Sequence, residues 1–470
     1  MNWGEIDGAT VIDERTDMLR VKSAFVTYSR KMRFCFSTVS DTGDLNLPLS
    51  YVLWAHPWDQ SSAVLKYIKS EQAEVEQCKI DGIADVQEFC DTVVDMAYKD
   101  AKIKKRFKVF INPFGGKGQA VQIWENQAEP IFAAGNCEYE IVCTEYQNHA
   151  REVIRQMDFN TVDAIISVGG DGLLHEILNG VAERKDHLEA FETPICMIPG
   201  GTGNAFGFNA TKTKHPGLAA FRILKGIPTH YDLLSFTQKG KRCVSFLTAN
   251  YGIVADADIG TDNLRFMGEN RAVLGFLMRL FRTPDWKCRV DMDVVSSNRE
   301  EIRRMYLRTL PSGSILEREI PKPLQRDRDL TNLQYGDETS PIPENWVSLD
   351  IPDLVVFCAG KLQYIAPDVR MFPTVRNDDG TIDIGIVRST DFRSSLMDMF
   401  SKVETGKHFY NDTLEYYKVR AFRFTPILTE SSHFFALDGE SYPVAPFQCE
   451  VLPSLGTTLS PLGSFLLPPI

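Results

Sequence analysis

The feature that most constrains this chain is the stretch Ser167–Glu176, Ser-Val-Gly-Gly-Asp-Gly-Leu-Leu-His-Glu. Before it, Val162-Asp-Ala-Ile-Ile-Ser-Val168 reads as a short buried strand. After it, Leu173 to Val181 reads as helix. Three glycines between strand and helix allow close approach of the backbone to a ligand. The helix that follows turns its free N–H groups and positive dipole end toward that turn. Asp171 places one carboxylate there, which suits work on a hydroxyl or a metal ion. By itself the same pattern also fits a plain glycine-rich turn with Asp171 as helix cap.

The unit is not alone. Phe107-Lys-Val-Phe-Ile111 runs into Asn112-Pro-Phe-Gly-Gly-Lys-Gly118 and a helix from Gln119. Cys137 to Thr144 is a strand, followed by Glu145-Tyr-Gln-Asn-His-Ala150 and a helix through Met157. Thr193-Pro-Ile-Cys-Met-Ile-Pro199 leads into Gly200-Gly-Thr-Gly-Asn-Ala-Phe206. Four successive strand-then-helix units predict a parallel sheet covered on both faces. All four loops then lie at the C-terminal edge of the sheet, where such folds bind ligands. Three of them are glycine-rich, which points to a phosphate cradle. It is not a Walker A loop, since Gly118 follows the lysine where Ser or Thr is needed, and no Gly-x-Gly-x-x-Gly is present. The missing fingerprint argues against a nicotinamide-dependent oxidoreductase.

Beyond Asp232 the texture becomes β-rich. Strand-like runs are Asp232–Phe236, Cys243–Ala249, Val290–Val295, Leu354–Cys358, Thr381–Val387, Tyr417–Phe422 and Phe447–Val451. Helices are expected near 271–282 and 392–404. This predicts an antiparallel β-sandwich, so the fold class is α/β plus all-β. Residues 297–345 are polar and dotted with prolines, and read as an insertion loop. Upstream, strand-like runs at Ala24–Tyr28, Met32–Phe36, Ser50–Trp54 and Ala63–Tyr67 precede a helical pattern from Val86 to Ala101. Strands closed by one long helix resemble a pleckstrin-homology module. The expected domains are therefore 1–101, 102–231 and 232–470.

A chain of 470 residues with net charge −12 is long enough for these domains and argues against general nucleic-acid binding. The ten cysteines are scattered without zinc spacing, as in a reducing compartment. The first residues do not form a signal peptide, and Asn2 stands where myristoylation needs glycine. No run of about 18 apolar residues occurs, so no membrane-spanning helix is expected. The expected location is the cytoplasm, with peripheral association to intracellular membranes.

Four motifs in order, Asn112–Gly118, Gly169–Glu176, Pro199–Ala205 and Leu437-Asp-Gly-Glu440, resemble the signature of diacylglycerol-kinase-type lipid kinases, and most of all sphingosine (long-chain-base) kinases. The resemblance covers about residues 105–465 and implies a first domain that binds ATP and a second that holds the lipid. It assigns Asn112, Pro113 and Phe114, with Thr144, Glu145, Tyr146, Gln147 and Asn148, to the nucleotide. Gly201, Thr202 and Gly203 are implied to cradle phosphates. Glu176, Asp438, Gly439 and Glu440 complete the nucleotide and magnesium environment, with the metal ligands left open. Arg265 and Arg271 are implied partners of the ATP phosphates. Asp171 is the implied general base for a primary hydroxyl, and Gly169, Gly170, Asp171 and Gly172 line the lipid headgroup.

The substrate argument turns on Val254-Ala-Asp-Ala-Asp258. If extended, Asp256 and Asp258 share one side. A sphingoid base carries an ammonium beside its reactive hydroxyl, and a carboxylate in an apolar pocket pairs with it and rejects neutral lipids. The resemblance makes Asp258 that carboxylate. A surface turn with two solvated acids is the alternative the residues alone leave open. Residues 262–282 alternate apolar clusters with arginines, as in a lid over an acyl chain or a core helix. The implied activity is ATP-dependent phosphorylation of sphingosine, sphinganine or phytosphingosine, with magnesium as cofactor and a homodimer as a further expectation. Ceramide or diacylglycerol kinase is the alternative, and an inactive lipid- or nucleotide-binding protein a third reading.

Overall fold

The computed structural model describes residues 10–13, 17–32, 35–70, 72–259, 286–308, 333–389, 392–427 and 433–461, with 463 and 465. At the N-terminus six strands form one antiparallel sheet: β1 (Thr10–Asp13), β2 (Met18–Met32), β3 (Cys35–Pro48), β4 (Val52–Asp59), β5 (Ser62–Ile68) and β6 (Val75–Asp81). Their order is β1-β2-β6-β5-β4, with β3 on β2. Helix α1 (Val86–Tyr98) closes the module. Its cap is Asp85, whose carboxylate accepts the Glu88 N–H at 2.9 Å. Its apolar face, Phe89, Val93, Val94 and Ala97, is buried at helical spacing. That face belongs to one continuous core with Phe107, Trp124, Phe132 and Leu224 of the next unit. The module is therefore packed onto the parallel-sheet unit and not strung from it.

The parallel sheet contains β7 (Arg106–Ile111), β8 (Glu138–Cys143), β9 (Ala164–Gly169) and β10 (Ile195–Pro199), in the order β10-β9-β7-β8. The order reverses between β7 and β9, which is where ligands enter such sheets. Strands β9 and β10 are buried throughout, as their Val/Ile-rich runs require. Alternate residues serve two cores. Val109, Ile166 and Ile198 face one side, beneath α2 (Ala120–Ile123), α3 (Glu129–Ala134) and α8 (Pro216–Leu224). Phe110, Ile165 and Met197 face the other, beneath α4 (His149–Gln156), α5 (Asp171–Ala182), the short α6 (His187–Ala190) and α7 (Ala205–Thr211). Between α2 and α3 a single π turn, Trp124–Ala128, precedes Pro130, which has no N–H to return to the turn before it.

The third unit is an antiparallel sandwich. Its strands are β11 (Ile227–Gln238), β12 (Lys241–Ser245), β13 (Thr248–Gly252), β14 (Trp286–Ser296), β15 (Val347–Gly360), β16 (Ile382–Arg388), β17 (Leu414–Ile427), β18 (Phe435–Leu437), β19 (Glu440–Tyr442) and β20 (Phe447–Ser460). They run β12-β11-β20-β17-β14-β15-β13-β18-β19, and β16 bridges β15 and β17. Phe236, Tyr251, Phe357, Phe424 and Phe447 fill the space between its layers.

Three local expectations change. The run Cys243–Ala249 is two strands, broken at Phe246-Leu247. The segment read as an insertion loop holds a helix, Arg299–Leu307, capped by Asn298 and docked by Ile302 and Tyr306. Val254–Asp258 is not extended but lies in helix α9 (Ile253–Ile259). The expected helix near 271–282 and the lid reading of 262–282 lie outside the described residues, and no helix among the described residues is long and apolar enough to cross a membrane.

A buried ionic cluster holds the sandwich against the segment after β15. The Lys361 Nζ is fully buried and meets Asp232 and Asp379 at 2.7 Å each. Lys418 joins Asp379 at 3.0 Å and Asp383 at 2.7 Å. Burial works against the Lys361 charge, and the two carboxylates overturn it, so its pKa stands above the ordinary value. Lys361→Met leaves Asp232 buried without its counter-charge. It is expected to cost about 3–5 kcal/mol, read as a lowered midpoint in urea unfolding. A change of under about 1 kcal/mol would contradict the assignment.

Candidate active site

The four loops at the C-terminal edge of the parallel sheet are tied to one another. The Asn112 N–H donates to the Val168 carbonyl at 3.1 Å, Thr144 N–H to Ile111 at 2.8 Å, and Gly200 N–H to Gly169 at 3.0 Å. The glycines mark where the loops press together. A Cβ on Gly201 would stand 2.4 Å from the Gly170 Cα, backbone against backbone. On Gly203 it would meet the Asp171 Oδ2 at 2.8 Å, and on Gly172 the Glu440 Oε1 at 2.7 Å. Asn204, which the sequence reading did not single out, clamps the loop after β10. Its side chain accepts the Gly201 N–H at 2.8 Å and donates to the Gly201 carbonyl at 2.7 Å. An Asn after Gly-x-Gly that bonds to its own turn was a readable signal.

Asp171 opens α5, and its carboxylate crosses to the N-terminus of α7. It accepts the Ala205 N–H at 2.9 Å and the Phe206 N–H at 3.1 Å. Burial pushes its carboxyl up, the two N–H groups pull it down, and the Asp438 charge pushes it up again, leaving it at about 6. Such a group is mostly ionised at neutral pH, yet basic enough to take a hydroxyl proton in a transition state. Gly169 and Gly170, expected with Gly172 at the lipid headgroup, form the backbone immediately before it.

Asp438 and Gly439 both have positive φ, 51° and 81°, and make the two-residue turn between β18 and β19. The sequence reading put the whole Asp438-Gly439-Glu440 triplet in the nucleotide environment. The structure separates their parts. The Asp438 carboxylate is filled by Ser245 Oγ at 2.7 Å, by the N–H groups of Leu247, Thr248 and Phe246 at 2.9, 3.1 and 3.3 Å, and by His175 Nδ1 at 2.9 Å. It folds the chain between β12 and β13. Glu440, two residues on, is the exposed carboxylate that reaches the start of α5.

Thr144 is buried, and Glu145, Tyr146 and Gln147 are exposed along the neighbouring loop. The Tyr146 ring stacks on His149 at 4.7 Å, and its hydroxyl meets Glu152 at 2.8 Å. Asn148 is left-handed and starts α4. Burial raises the Glu176 carboxyl, the Asn148 and Ala150 N–H groups lower it, and Glu440 raises it further. One Glu176 oxygen, Oε2, is buried without a hydrogen-bond partner. Phe114 is 74% exposed and Tyr146 53% exposed, on loops from adjacent strands. Two flat apolar rings at this rim suit a nucleotide base. Asn112 Oδ1 accepts the Phe114 N–H at 3.0 Å across Pro113, and Thr202 is exposed at the tip of its loop.

The segment expected to hold the substrate carboxylate changes most. Helical geometry turns about 100° per residue, so the strand alternation that would put positions 256 and 258 on one side is absent from α9. Asp256 is buried and accepts the Phe434 N–H at 3.2 Å. Asp258 lies near the end of α9. Arg265 and Arg271 lie outside the described residues. Among the described residues no group of three or more His, Cys, Asp or Glu side chains could hold a metal by itself.

Residues 106–236 match the diacylglycerol kinase catalytic domain, and residues 352–459 the YegS C-terminal NAD kinase beta sandwich-like domain. The crystal structure of a diacylglycerol kinase from Bacillus anthracis superposes with a TM-score of 0.52 at 20% identity, over 77% of this chain and 98% of that one. That likeness concerns the fold. Fold and cleft together define a lipid-kinase architecture of the diacylglycerol-kinase type. Sphingoid long chain base kinase 4 of Schizosaccharomyces pombe is 48% identical over 468 residues, 99% of each chain. Sphingosine kinase 1 of Homo sapiens is 28% identical over 363 residues, 74% of this chain and 89% of the relative. The chain belongs to the sphingoid long-chain-base kinase family.

Proposed function

We propose that this chain transfers the γ-phosphoryl group of ATP to the primary hydroxyl of a sphingoid long-chain base, giving the 1-phosphate and ADP. The observation that carries the reading is the Asp171 carboxylate, raised to about 6 and held by two N–H groups inside a glycine cradle. Asp171 takes the hydroxyl proton as the new O–P bond forms and the bond to the β-phosphate oxygen breaks. The rest of catalysis is positioning and charge stabilisation. Gly201, Thr202 and Gly203 offer the cradle for the phosphates, and Phe114 and Tyr146 the surfaces for the base. Arg265 and Arg271 are assigned to the phosphates on the family resemblance.

Magnesium fits this cleft. The buried unpartnered Glu176 oxygen and the nearby Glu440 suit a cation that phosphate oxygens mainly hold. When bound it neutralises charge on the transferring phosphoryl group. Asp258 is assigned the ammonium of the lipid. Domain limits at 101 and 231, a pleckstrin-homology-like first module, a homodimer, and a cytoplasmic enzyme that visits membranes peripherally belong to the same reading.

The test offers sphinganine, ceramide and diacylglycerol separately with Mg-ATP, using wild type and Asp258→Asn. Transfer to sphinganine alone, lowered at least about tenfold in Asp258→Asn, is the expected outcome. Transfer to a neutral lipid that ignores Asp258→Asn overturns the substrate assignment.

A further inference from the structure

Helix α5 carries more than Asp171. Residues spaced by four stack on one helix face, and here Asp171, His175 and Asn179 form that row. Asp171 ends it at the cradle. His175, one turn below, donates from Nδ1 to Asp438 Oδ2 at 2.9 Å, while its Nε2 lies 3.4 Å from the Tyr442 hydroxyl. Asn179, a turn further, is buried and pairs with one residue of β12 on both sides. It accepts the Val244 N–H at 2.9 Å and donates to the Val244 carbonyl at 3.0 Å. The helix that presents the base is therefore clasped twice by the sandwich. The upper clasp lands on the Asp438-Gly439 turn, and Glu440 follows that turn at once. The Glu440 Oε1 stands 2.7 Å from where a Gly172 Cβ would sit.

We propose that His175 is a positioning residue for phosphoryl transfer: through Asp438 it sets the β18–β19 turn so that Glu440 stands over the first turn of α5, beside Asp171. The inference rests on the kinase reading and adds a residue that touches neither ATP nor lipid. Asn179 fixes the helix along its axis, and His175 fixes the turn against it. Without the upper clasp the β18–β19 turn keeps its bonds to Ser245 and to the 246–248 backbone, so the fold survives. What is lost is the register between Glu440 and Asp171, and a shift of about 1 Å at reacting groups costs on the order of 10²-fold in rate.

Two amide variants separate this from a filling role. In His175→Asn the side-chain nitrogen takes the place of Nδ1 and keeps the bond to Asp438. In His175→Gln it takes the place of Nε2, toward Tyr442. Steady-state transfer to sphinganine and calorimetric ATP affinity are measured for both, alone and combined with Glu440→Gln. His175→Asn is expected within about threefold of wild type, and His175→Gln to lose at least about tenfold in kcat/KM for ATP. In the Glu440→Gln background the His175→Gln loss is expected to shrink to about twofold, because the two act as one unit. Equal activity of the Asn and Gln variants, or losses that simply multiply with Glu440→Gln, overturns the proposal. If wild type transfers to no lipid, the kinase reading fails and the positioning role with it, whereas equal Asn and Gln variants of an active enzyme overturn the positioning role alone.

Discussion

Asp171→Asn is expected to lower phosphoryl transfer by about 10²–10⁴-fold while the protein melts within a few degrees of wild type. The rate falls because an amide cannot accept the hydroxyl proton. The fold survives because two changes oppose each other. The amide oxygen accepts one of the Ala205 and Phe206 N–H groups, and its NH₂ faces the other, a loss of about 1–3 kcal/mol. Against that, the shift of the carboxyl from 3.8 to about 6 costs the ionised native state about 3 kcal/mol. The sign follows from the raised value: the native state binds the proton more tightly than the unfolded chain. The penalty grows as pH rises from about 4 to about 6, is complete above that, and is absent in the amide. The wild-type profile carries the same number. Its kcat/KM should fall on the acid side of about pH 6 as Asp171 protonates. An acid limb centred near 4, or an Asp171→Asn enzyme within tenfold of wild type, would remove Asp171 from the role of base.

Gly201→Ala should be nearly as damaging, for a reason that involves no chemical group. The added methyl would lie 2.4 Å from the Gly170 Cα and 2.7 Å from the Gly170 nitrogen. Neither neighbour is a side chain that can swing away, so the loop after β10 must separate from the loop after β9. That moves the Gly201–Gly203 cradle off the start of α5, and a shift near 1 Å is worth on the order of 10²-fold. Overpacking also costs about 1–3 kcal/mol in stability. The loss should appear mainly as weakened ATP binding, measured by calorimetry, with sphinganine affinity little changed. Gly240→Ala, in the turn between β11 and β12, is the natural control, since nothing lies within 4 Å of its Cβ position and only its φ of 69° opposes the change. Equal ATP affinity in Gly201→Ala and wild type would mean that the loops do not form one phosphate surface.

Those same contacts explain why the cradle was legible in the sequence. Gly172, Gly201 and Gly203 stand where a side chain would strike backbone or the Asp171 or Glu440 carboxylate, and a steric demand of that kind leaves a visible letter. The parallel strands were legible because burial on both faces turns them into Val/Ile runs. What escaped depends on distant partners. Cys243–Ala249 has the composition of one strand, and it is Asp438, far along the chain, that gathers the 246–248 N–H groups and breaks it. His175 offered only its place one turn below Asp171, and its partner comes from the other end of the chain. The shared side of Asp256 and Asp258 required an extended Val254–Asp258, yet Ala255 and Ala257 favour helix, and both are buried in α9. The helix Arg299–Leu307 did announce itself, through Asn298 capping Glu301 N–H at 3.0 Å. Its charged surface, docked by only Ile302 and Tyr306, hid it within a polar segment.

The most direct test of the central claim is the stoichiometry of a single turnover with γ-labelled ATP, magnesium and sphinganine at pH 7.5. The account predicts one sphinganine 1-phosphate formed for each ATP consumed, with the label on the primary hydroxyl and its transfer by Asp171→Asn slower by about 10²–10⁴-fold. ATP consumed with release of inorganic phosphate only, or label moved equally well by Asp171→Asn, would contradict it.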